Sequence, residues 1–253
     1  MMGDALKERV AVQLYTVRDQ MTKDSDATLR AVRDMGWTAV EVAGFPYEPE
    51  TLARSLGALG MRTAAIHIPL QRLTGDPDGV VREARALGAG DIVCPFIAPG
   101  ERTDDGYKRV QDELRVAREQ LAREGIRLSY HNHAFEFEPG APGGDALRYI
   151  LDGVPGLTAE ADVYWLARGG HNPVEYMRGI SDRVEMLHLK DVNAEDGSFA
   201  EVGAGTLDMP GILRFGREAG VRWFIVEQDR CPGDPLDSLQ ISWTNLNRML
   251  DVL

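Results

Sequence analysis

Cysteine is scarce in this chain, with two residues among 253, Cys94 and Cys231. A disulfide framework needs more cysteines than this, so we expect two reduced thiols. Long apolar runs are also missing. The opening MMGDALKERVAVQLY mixes charged with apolar residues, and no later stretch approaches the about 20 apolar residues of a membrane helix. The sequence therefore predicts a cytoplasmic protein without a membrane partner.

Basic residues are fewer than acidic residues. The chain has 28 lysines and arginines against 40 aspartates and glutamates, a formal net charge of −12. Nucleic acids and anionic membranes require a basic binding face, so we expect no nucleic-acid partner. A glycine-rich phosphate turn is absent too, because QLYTVRD follows the first predicted strand, where a nucleotide-binding open sheet carries its glycines.

Short β-type runs alternate with longer amphipathic stretches along the chain. Runs such as TAAI and WFIV are apolar on both faces, as strands covered by helices are. Strands are predicted over residues 9–15, 37–44, 61–69, 91–96, 126–133, 157–165, 184–192 and 221–229. One helix between them is expected to start at Asp24 or Asp26 and to stop at Gly36, and GAGTLDMPGILRFGREAG is expected to be part of a loop.

Eight alternating units without a composition break predict an α/β fold, the (β/α)8 TIM barrel, over residues 1–253 as a single domain. A doubly wound open sheet is the structural alternative. Active sites of such barrels lie at the carboxyl ends of the strands. The predicted strand ends carry Gln13 and Tyr15, Glu41, His67, His131 with His133 and Glu136, Asp162, His188 with Lys190, and Glu227 with Asp229.

Three consecutive strand ends, at Asp162, His188 and Glu227, carry groups that are costly to bury unless they pair or bind an ion. Together they predict a divalent metal site. Mixed carboxylate and imidazole ligands suit Mn²⁺, Mg²⁺, Co²⁺ or Zn²⁺. Such an ion can assist the removal of a proton α to a ketone by stabilising an enediolate, while paired glutamates serve as base and acid.

Several segments carry a recognisable pattern: QLYTVRD, YHNHAFEF, EADVYWLARGGHNP, MLHLKDV, EVGAGTLD and FIVEQD. On these segments the chain resembles the xylose isomerase-like TIM barrels, in particular the sugar phosphate isomerases/epimerases, over nearly its whole length. The resemblance implies a metal held by residues of strands five to eight, and Asp162, His188 and Glu227 match the last three. It also implies Mn²⁺ as the expected ion, with Mg²⁺, Co²⁺ or Zn²⁺ as alternatives.

The first ligand departs from the family pattern. Sugar 3-epimerases carry a glutamate inside strand five, where this chain has Ser129, Tyr130 and His131. We expect Glu136 to take that role, with His131 or His133 as the competing ligand.

The expected site residues fall into three overlapping groups. The metal ligands are Glu136, Asp162, His188 and Glu227, the catalytic residues are Glu136, Glu227, Lys190 and His133, and the substrate-binding residues are His67, His131, Trp165, Glu41 and Gln13. Other interpretations stay open: a core histidine for His67, a salt-bridge partner for Glu41 and a packing side chain for Trp165.

The leading functional hypothesis is a metal-dependent isomerase or epimerase of a sugar, keto-sugar or related polyol. The second is a lyase that dehydrates a keto-sugar or inosose or cleaves a 3-keto-glycoside, because an imidazole of strand five could protonate a leaving oxygen. An apurinic endonuclease is disfavoured by the net charge of −12, and a non-catalytic sugar-binding barrel is the last alternative. A phosphorylated substrate is not supported beyond Arg18, Arg168 and Arg230, and the final helix could support a homo-oligomer.

Overall fold

The chain closes eight parallel strands into a barrel. A computed structural model describes residues 6–253, so the first five residues of the predicted domain lie outside the described range. The strands are β1 (Val10–Gln13), β2 (Ala39–Val42), β3 (Arg62–His67), β4 (Asp91–Cys94), β5 (Arg127–His131), β6 (Thr158–Asp162), β7 (Val184–Leu189), β8 (Asp191–Val192), β9 (Phe199–Ala200) and β10 (Trp223–Val226). Around the barrel they follow the order β1–β10–β7–β6–β5–β4–β3–β2, and β8 pairs with β9 in a separate antiparallel sheet. The predicted TIM barrel is confirmed.

Helices connect the strands on the outside. They are α1 (Arg18–Lys23), α2 (Ser25–Asp34), α3 (Pro49–Ala58), α4 (Leu70–Gly75), α5 (Pro77–Leu87), α6 (Asp104–Arg123), α7 (Ala146–Gly153), α8 (Val163–Arg168), α9 (Pro173–Arg178), α10 (Met209–Glu218) and α11 (Pro235–Asp251). Within residues 6–253, none of them combines the length and the apolar character that crossing a bilayer requires.

Side-chain caps explain several helix boundaries. Asp24, rather than Asp26, caps α2, because its carboxylate accepts a hydrogen bond from the Ala27 amide at 2.9 Å. The prediction of a loop before the last strand is wrong over α10, where Asp208 accepts from the Gly211 amide at 2.9 Å and starts a helix. The predicted sixth strand is too long, because Asp162 accepts from the Trp165 amide at 2.9 Å and starts α8.

Apolar side chains fill the barrel interior on the amino side of the polar strand ends. Small and medium residues form this inner cluster: Ala11, Ala39, Ala64, Ala65, Val93, Met186 and Ile225. Side chains two positions apart in a strand point to the same face. Ala11, Met186 and Ile225 therefore place the residues two positions later at the carboxyl mouth of the barrel.

Candidate metal centre

Four side chains meet at the carboxyl mouth, one from each of β5, β6 and β7 and one directly after β10. They are His131, Asp162, His188 and Glu227, and each offers one atom that lies within 4.8 Å of the others. The strand register produces this proximity, since His188 is paired with Asp162 on one side and with Ile225 on the other. All four side chains are buried.

Distances within the group are those of ligands turned toward a common point. The Nδ1 atom of His188 lies 3.0 Å from Oε2 of Glu227 and 3.9 Å from Oδ2 of Asp162. The Nε2 atom of His131 lies 3.8 Å from the same Asp162 oxygen. We define these four residues as the metal-ligand group.

The opposite ring nitrogens of both histidines contact buried carboxylates. Nδ1 of His131 lies 3.0 Å from Oε2 of Glu160, and Nε2 of His188 lies 2.7 Å from Oε2 of Glu41 and 3.1 Å from Oε2 of Glu160. A carboxylate behind a metal-binding imidazole fixes the ring orientation and the tautomer. Glu41 and Glu160 therefore leave Nε2 of His131 and Nδ1 of His188 facing the ligand group.

The donor set fits a divalent cation. Two imidazole nitrogens and two carboxylate oxygens form a mixed site of the kind that Mn²⁺, Co²⁺ and Zn²⁺ accept. Oδ2 of Asp162 is buried and accepts no hydrogen bond within residues 6–253, and the Lys190 ammonium 3.1 Å away is its cationic partner. A divalent ion held by the four residues would add to this compensation of the buried charge.

A second combination of atoms could also hold a metal, namely His67, His131, Glu160 and His188. In this combination Oε2 of Glu160 contacts all three imidazoles, at 2.9 Å from Nε2 of His67, 3.0 Å from Nδ1 of His131 and 3.1 Å from Nε2 of His188. His131 and Glu227 of the metal-ligand group line the cleft described below, and so do His67 and His131 of the second combination. The metal-ligand group is the better cation site, because it has two carboxylates to offset a divalent charge where the second combination has one.

Glu160 is the site residue that the sequence predictions missed. It is fully buried in β6, two positions before Asp162, so both side chains point into the barrel. The alternation in TAEAD was the signal that could have identified it. It lies one layer deeper than the ligands and organises the three histidines around it.

Two predicted substrate-binding residues belong to this deeper layer. Gln13 donates from Nε2 to Oε2 of Glu41 at 2.6 Å, and neither side chain is exposed. Neither lines the cleft, so the structure does not bring them to a substrate. His67 contacts Glu41 at 3.1 Å through Nε2 and also lines the cleft, so its predicted contact with a substrate stays a prediction.

Lys190 brings a buried positive charge to the mouth. Its Nζ lies 3.1 Å from Oδ2 of Asp162, 2.6 Å from Oε2 of Glu227 and 2.7 Å from Oδ2 of Asp229. The side chain is 1% exposed, and it still lines the cleft. Its ammonium group therefore stands between the ligand carboxylates and the space where a substrate would lie.

The cleft above the metal-ligand group has a volume of about 340 Å³. We call it the inner cleft. Its lining includes Tyr15, His67, Phe96, His131, His133, Lys190, Glu227 and Asp229. The ring of His133 packs edge-on against Phe96 at 6.0 Å and is tilted against Trp165 at 5.4 Å, and its Nδ1 atom is buried without a hydrogen-bond partner within residues 6–253.

Glu136 stands apart from the ligand atoms. Its carboxylate accepts a hydrogen bond from the Tyr130 hydroxyl at 2.6 Å and from the His133 amide at 2.9 Å. It belongs to neither ligand combination and does not line the inner cleft. Tyr130 alternates with His131 along β5 and packs in the core between sheet and helices, so the carboxylate that it binds lies on the outer side.

Burial and neighbouring charges shift the pKa values of the buried histidines and of Asp162. Burial alone would lower the pKa of His67, but the carboxylates of Glu41 and Glu160 outweigh it and raise that pKa to about 10. Burial, together with the nearby His188 charge, lowers the pKa of His131 well below its usual value. Burial raises the pKa of Asp162 to about 6 against the opposing effect of Lys190. The lowered pKa of His131 favours the neutral ring that a metal ligand needs. Burial would also lower the pKa of His188, but the carboxylates of Glu160 and Glu41 outweigh it and raise that pKa well above its usual value, so a metal bound there would displace a proton.

Comparisons with known proteins agree with this architecture. A curated relative, the inosose dehydratase of Geobacillus kaustophilus, is 25% identical over 252 residues, covering 82% of this chain and 80% of the relative. Among solved structures, a sugar phosphate isomerase/epimerase from Parabacteroides distasonis superposes with a TM-score of 0.81 at 20% identity, covering 94% and 93% of the two chains. The probable 3-DHS dehydratase of Bacillus anthracis superposes with a TM-score of 0.75 at 14% identity, covering 94% and 98%.

These structural similarities show the fold, and the family follows from the sequence. The sequence model of the xylose isomerase-like TIM barrel family matches residues 29–244, which is most of the chain. Proteins described as isomerases, epimerases and dehydratases share this fold. The resemblance predicted from the strand-end motifs is confirmed, and the chain belongs to the xylose isomerase-like TIM barrel family.

Proposed function

We propose that the protein is a divalent-metal-dependent lyase that removes the proton α to the carbonyl of a keto-sugar or keto-cyclitol and expels the oxygen substituent at the β position. The observation that carries this proposal is the identity of the β5 ligand. His131 faces the metal-ligand group, whereas the nearest carboxylate of this segment, Glu136, is bonded to Tyr130 and His133. Proton exchange between two glutamates needs a carboxylate on this side, and elimination does not.

The proposed metal ligands are His131, Asp162, His188 and Glu227. A divalent ion held there would supply Lewis-acid polarisation of the substrate carbonyl, which lowers the pKa of the adjacent C–H. Mn²⁺ is the expected ion, and Co²⁺, Zn²⁺ or Mg²⁺ are alternatives.

Two groups of the inner cleft can move protons. Burial and the nearby Lys190 charge lower the pKa of His133 to about 3, which keeps its ring neutral but makes it a weak base. Its Nδ1, which has no hydrogen-bond partner within residues 6–253, is proposed to accept an α-proton that the polarised carbonyl has made more acidic, either directly or through a hydroxyl of the substrate. The Lys190 ammonium, which donates to Asp229 at 2.7 Å, is proposed to protonate the departing oxygen. For a free keto-sugar the C–H proton and the β-hydroxyl leave as water, and a C=C bond forms in conjugation with the ketone.

An isomerase or epimerase, the leading hypothesis from the sequence, is the second candidate. Glu227 and His133 come from different strands and both line the inner cleft, so two groups could exchange a proton with the same carbon. The first half of the reaction is then identical, and the proton returns in place of elimination. In either case the proposed substrate is a small carbohydrate.

Three expectations from the sequence stay predictions: the cytoplasmic location, the homo-oligomer and the single domain.

Mass spectrometry of the products in D₂O tests the proposal. The Mn²⁺-loaded protein is incubated with a panel of keto-sugars and inososes, and a lyase gives a product lighter by one water. An isomerase conserves the mass apart from one deuterium, and a non-catalytic protein gives neither change. Glu227→Gln is the paired variant, and an undiminished rate of water loss, or of deuterium incorporation if the protein is an isomerase, would contradict a role of Glu227 as ligand or base.

A further inference from the structure

A second and larger cleft adjoins the inner cleft. Its volume is about 1190 Å³, and we call it the outer cleft. Tyr15 and Asp229 line both clefts, so the two spaces meet at these side chains. Small-molecule sites enclose about 300–1,000 Å³, so the inner cleft suffices for one ring and the outer cleft leaves room for another.

Aromatic side chains form one wall of the outer cleft. Tyr164 stacks on Phe199 of β9 at 4.3 Å between ring centroids, and Trp165 meets the same ring edge-on at 5.7 Å. Aromatic faces bind the apolar face of a sugar ring, while polar neighbours bind its hydroxyls.

The polar lining of the outer cleft carries both signs of charge. Arg18, Arg168 and Arg230 are accompanied by Glu195, Asp196, Glu201 and Asp229. The carboxylates offset the arginines, so the lining is suited to a neutral polyhydroxylated group rather than to a phosphate.

Trp165 connects the outer cleft to the proposed chemistry. Its ring lies 5.4 Å from the His133 ring and 5.8 Å from Nζ of Lys190. Its Nε1 atom is buried and has no hydrogen-bond partner within residues 6–253. Lys190 in turn contacts Asp229, the residue shared by both clefts, at 2.7 Å. A group leaving toward the outer cleft would therefore pass the proposed proton donor.

We propose that the outer cleft is a subsite for a second sugar ring, attached through an oxygen to the carbon β to the ketone. This inference rests on the proposed lyase function and names its substrate class, a keto-glycoside. The base takes the α-proton, the C–H electrons form the C=C bond, and the glycosidic C–O bond breaks. The departing oxygen takes a proton from Lys190, so the substrate yields an unsaturated ketone and a free sugar without water or an oxidant.

The test compares two substrates and two variants of the Mn²⁺-loaded protein. The substrates are a 3-keto-glucoside of glucose and free 3-keto-glucose, and the variants are Arg168→Ala in the outer cleft and Arg30→Ala on α2. Both arginines are exposed, so both variants should fold, which a melting curve verifies. We expect kcat/KM to favour the disaccharide in the wild type. Arg168→Ala should reduce this preference about tenfold by removing a charged hydrogen-bond donor, and Arg30→Ala should leave it unchanged.

Each outcome separates the two proposals. Equal kcat/KM for both substrates in all three proteins would overturn the second-ring subsite and leave the lyase proposal standing. A marked preference for phosphorylated 3-keto-glucose over the disaccharide would also overturn it, because the cleft would then be an anion site. Absence of elimination from either substrate, with deuterium exchange retained, would overturn the lyase and the subsite together in favour of an isomerase.

Discussion

The Nδ1 atom of His131 lies 3.0 Å from Oε2 of Glu160, and both side chains are buried on neighbouring strands. This contact turns Nε2 of His131 toward Asp162 and Glu227. One buried carboxylate below the mouth thereby decides which atom of β5 is available to a metal.

Replacing Glu160 with Gln should weaken metal binding. An amide keeps the shape but presents a donor or a weaker acceptor to three imidazoles, so the orientation of His131 and His188 is lost. Changes behind a metal-binding imidazole typically cost about 10–100-fold in affinity. Calorimetric Mn²⁺ titration measures the effect, and Glu119→Gln on the exposed face of α6 is the matched control. An unchanged dissociation constant for Glu160→Gln would contradict the assigned role.

Substitutions of His131 and His133 should separate metal binding from catalysis. His131→Gln is expected to lower metal content after dialysis, because it removes a proposed ligand. His133→Gln should retain the metal and lower kcat by roughly 10²–10⁴-fold, the usual contribution of a proton-transferring group. Metal analysis of both variants, with steady-state kinetics, distinguishes these results. If metal loss followed His133→Gln instead, the two roles would be reversed.

Lys190→Met should make the stability of the protein depend on the proposed divalent ion. The substitution leaves Asp162, Glu227 and Asp229 close together without their buried cation, and breaking a buried ion pair typically costs about 3–5 kcal/mol. A divalent ion restores the compensation. We therefore expect Mn²⁺ to raise the melting temperature of Lys190→Met more than that of the wild type, with the exposed Lys108→Met as control. Equal metal-induced shifts in all three proteins would count against this electrostatic account.

Glu136 should make the unfolding free energy depend on pH, and its replacement should leave metal binding unchanged. Burial raises its pKa from 4.5 to about 8 despite the hydrogen bonds from Tyr130 and His133. The folded state therefore holds a proton that the unfolded state releases, so the contribution of Glu136 to stability is full below pH 4.5 and is lost as pH rises to about 8. The unfolding free energy of Glu136→Gln, relative to wild type, should rise across this window. Urea unfolding at pH 5, 6.5 and 8 with a chelator present measures it. A difference independent of pH, or loss of the metal, would contradict this assignment.

Asp91 at the opposite end of the barrel should affect stability alone. Its carboxylate accepts two hydrogen bonds from Arg127, at 2.9 and 2.7 Å, and two from Arg222, both at 2.7 Å. Asp91→Asn should lower the unfolding free energy by about 1.5–3 kcal/mol, as expected for hydrogen bonds to a charged group, because the arginines remain partly exposed. Metal affinity should stay unchanged, since the site lies at the carboxyl ends. A fall in metal affinity would indicate coupling between the two ends.

The alternation of strand and helix patterns and the polar strand ends were enough to predict the barrel. The apolar runs of the strands and the amphipathic pattern of the helices are local properties of the sequence. The polar strand ends also predicted Asp162, His188 and Glu227 as neighbours, since parallel strands of a barrel bring their carboxyl ends together. Helix α10 escaped detection because its start depends on the Asp208 cap within a glycine-rich segment.

Tertiary structure alone decided how these groups are used. His131, His133 and Glu136 were equally suited by residue type to be the metal ligand from the fifth strand. The path of the chain after β5 directs Glu136 to Tyr130 and leaves His131 beside Asp162. Glu160 acquires its role only because β3, β5 and β7 bring three imidazoles to one oxygen. The sequence by itself determined the fold and the types of the candidate ligands, because these depend on local periodicity and chemistry. The orientation of each imidazole and the outer cleft arise from contacts between distant segments.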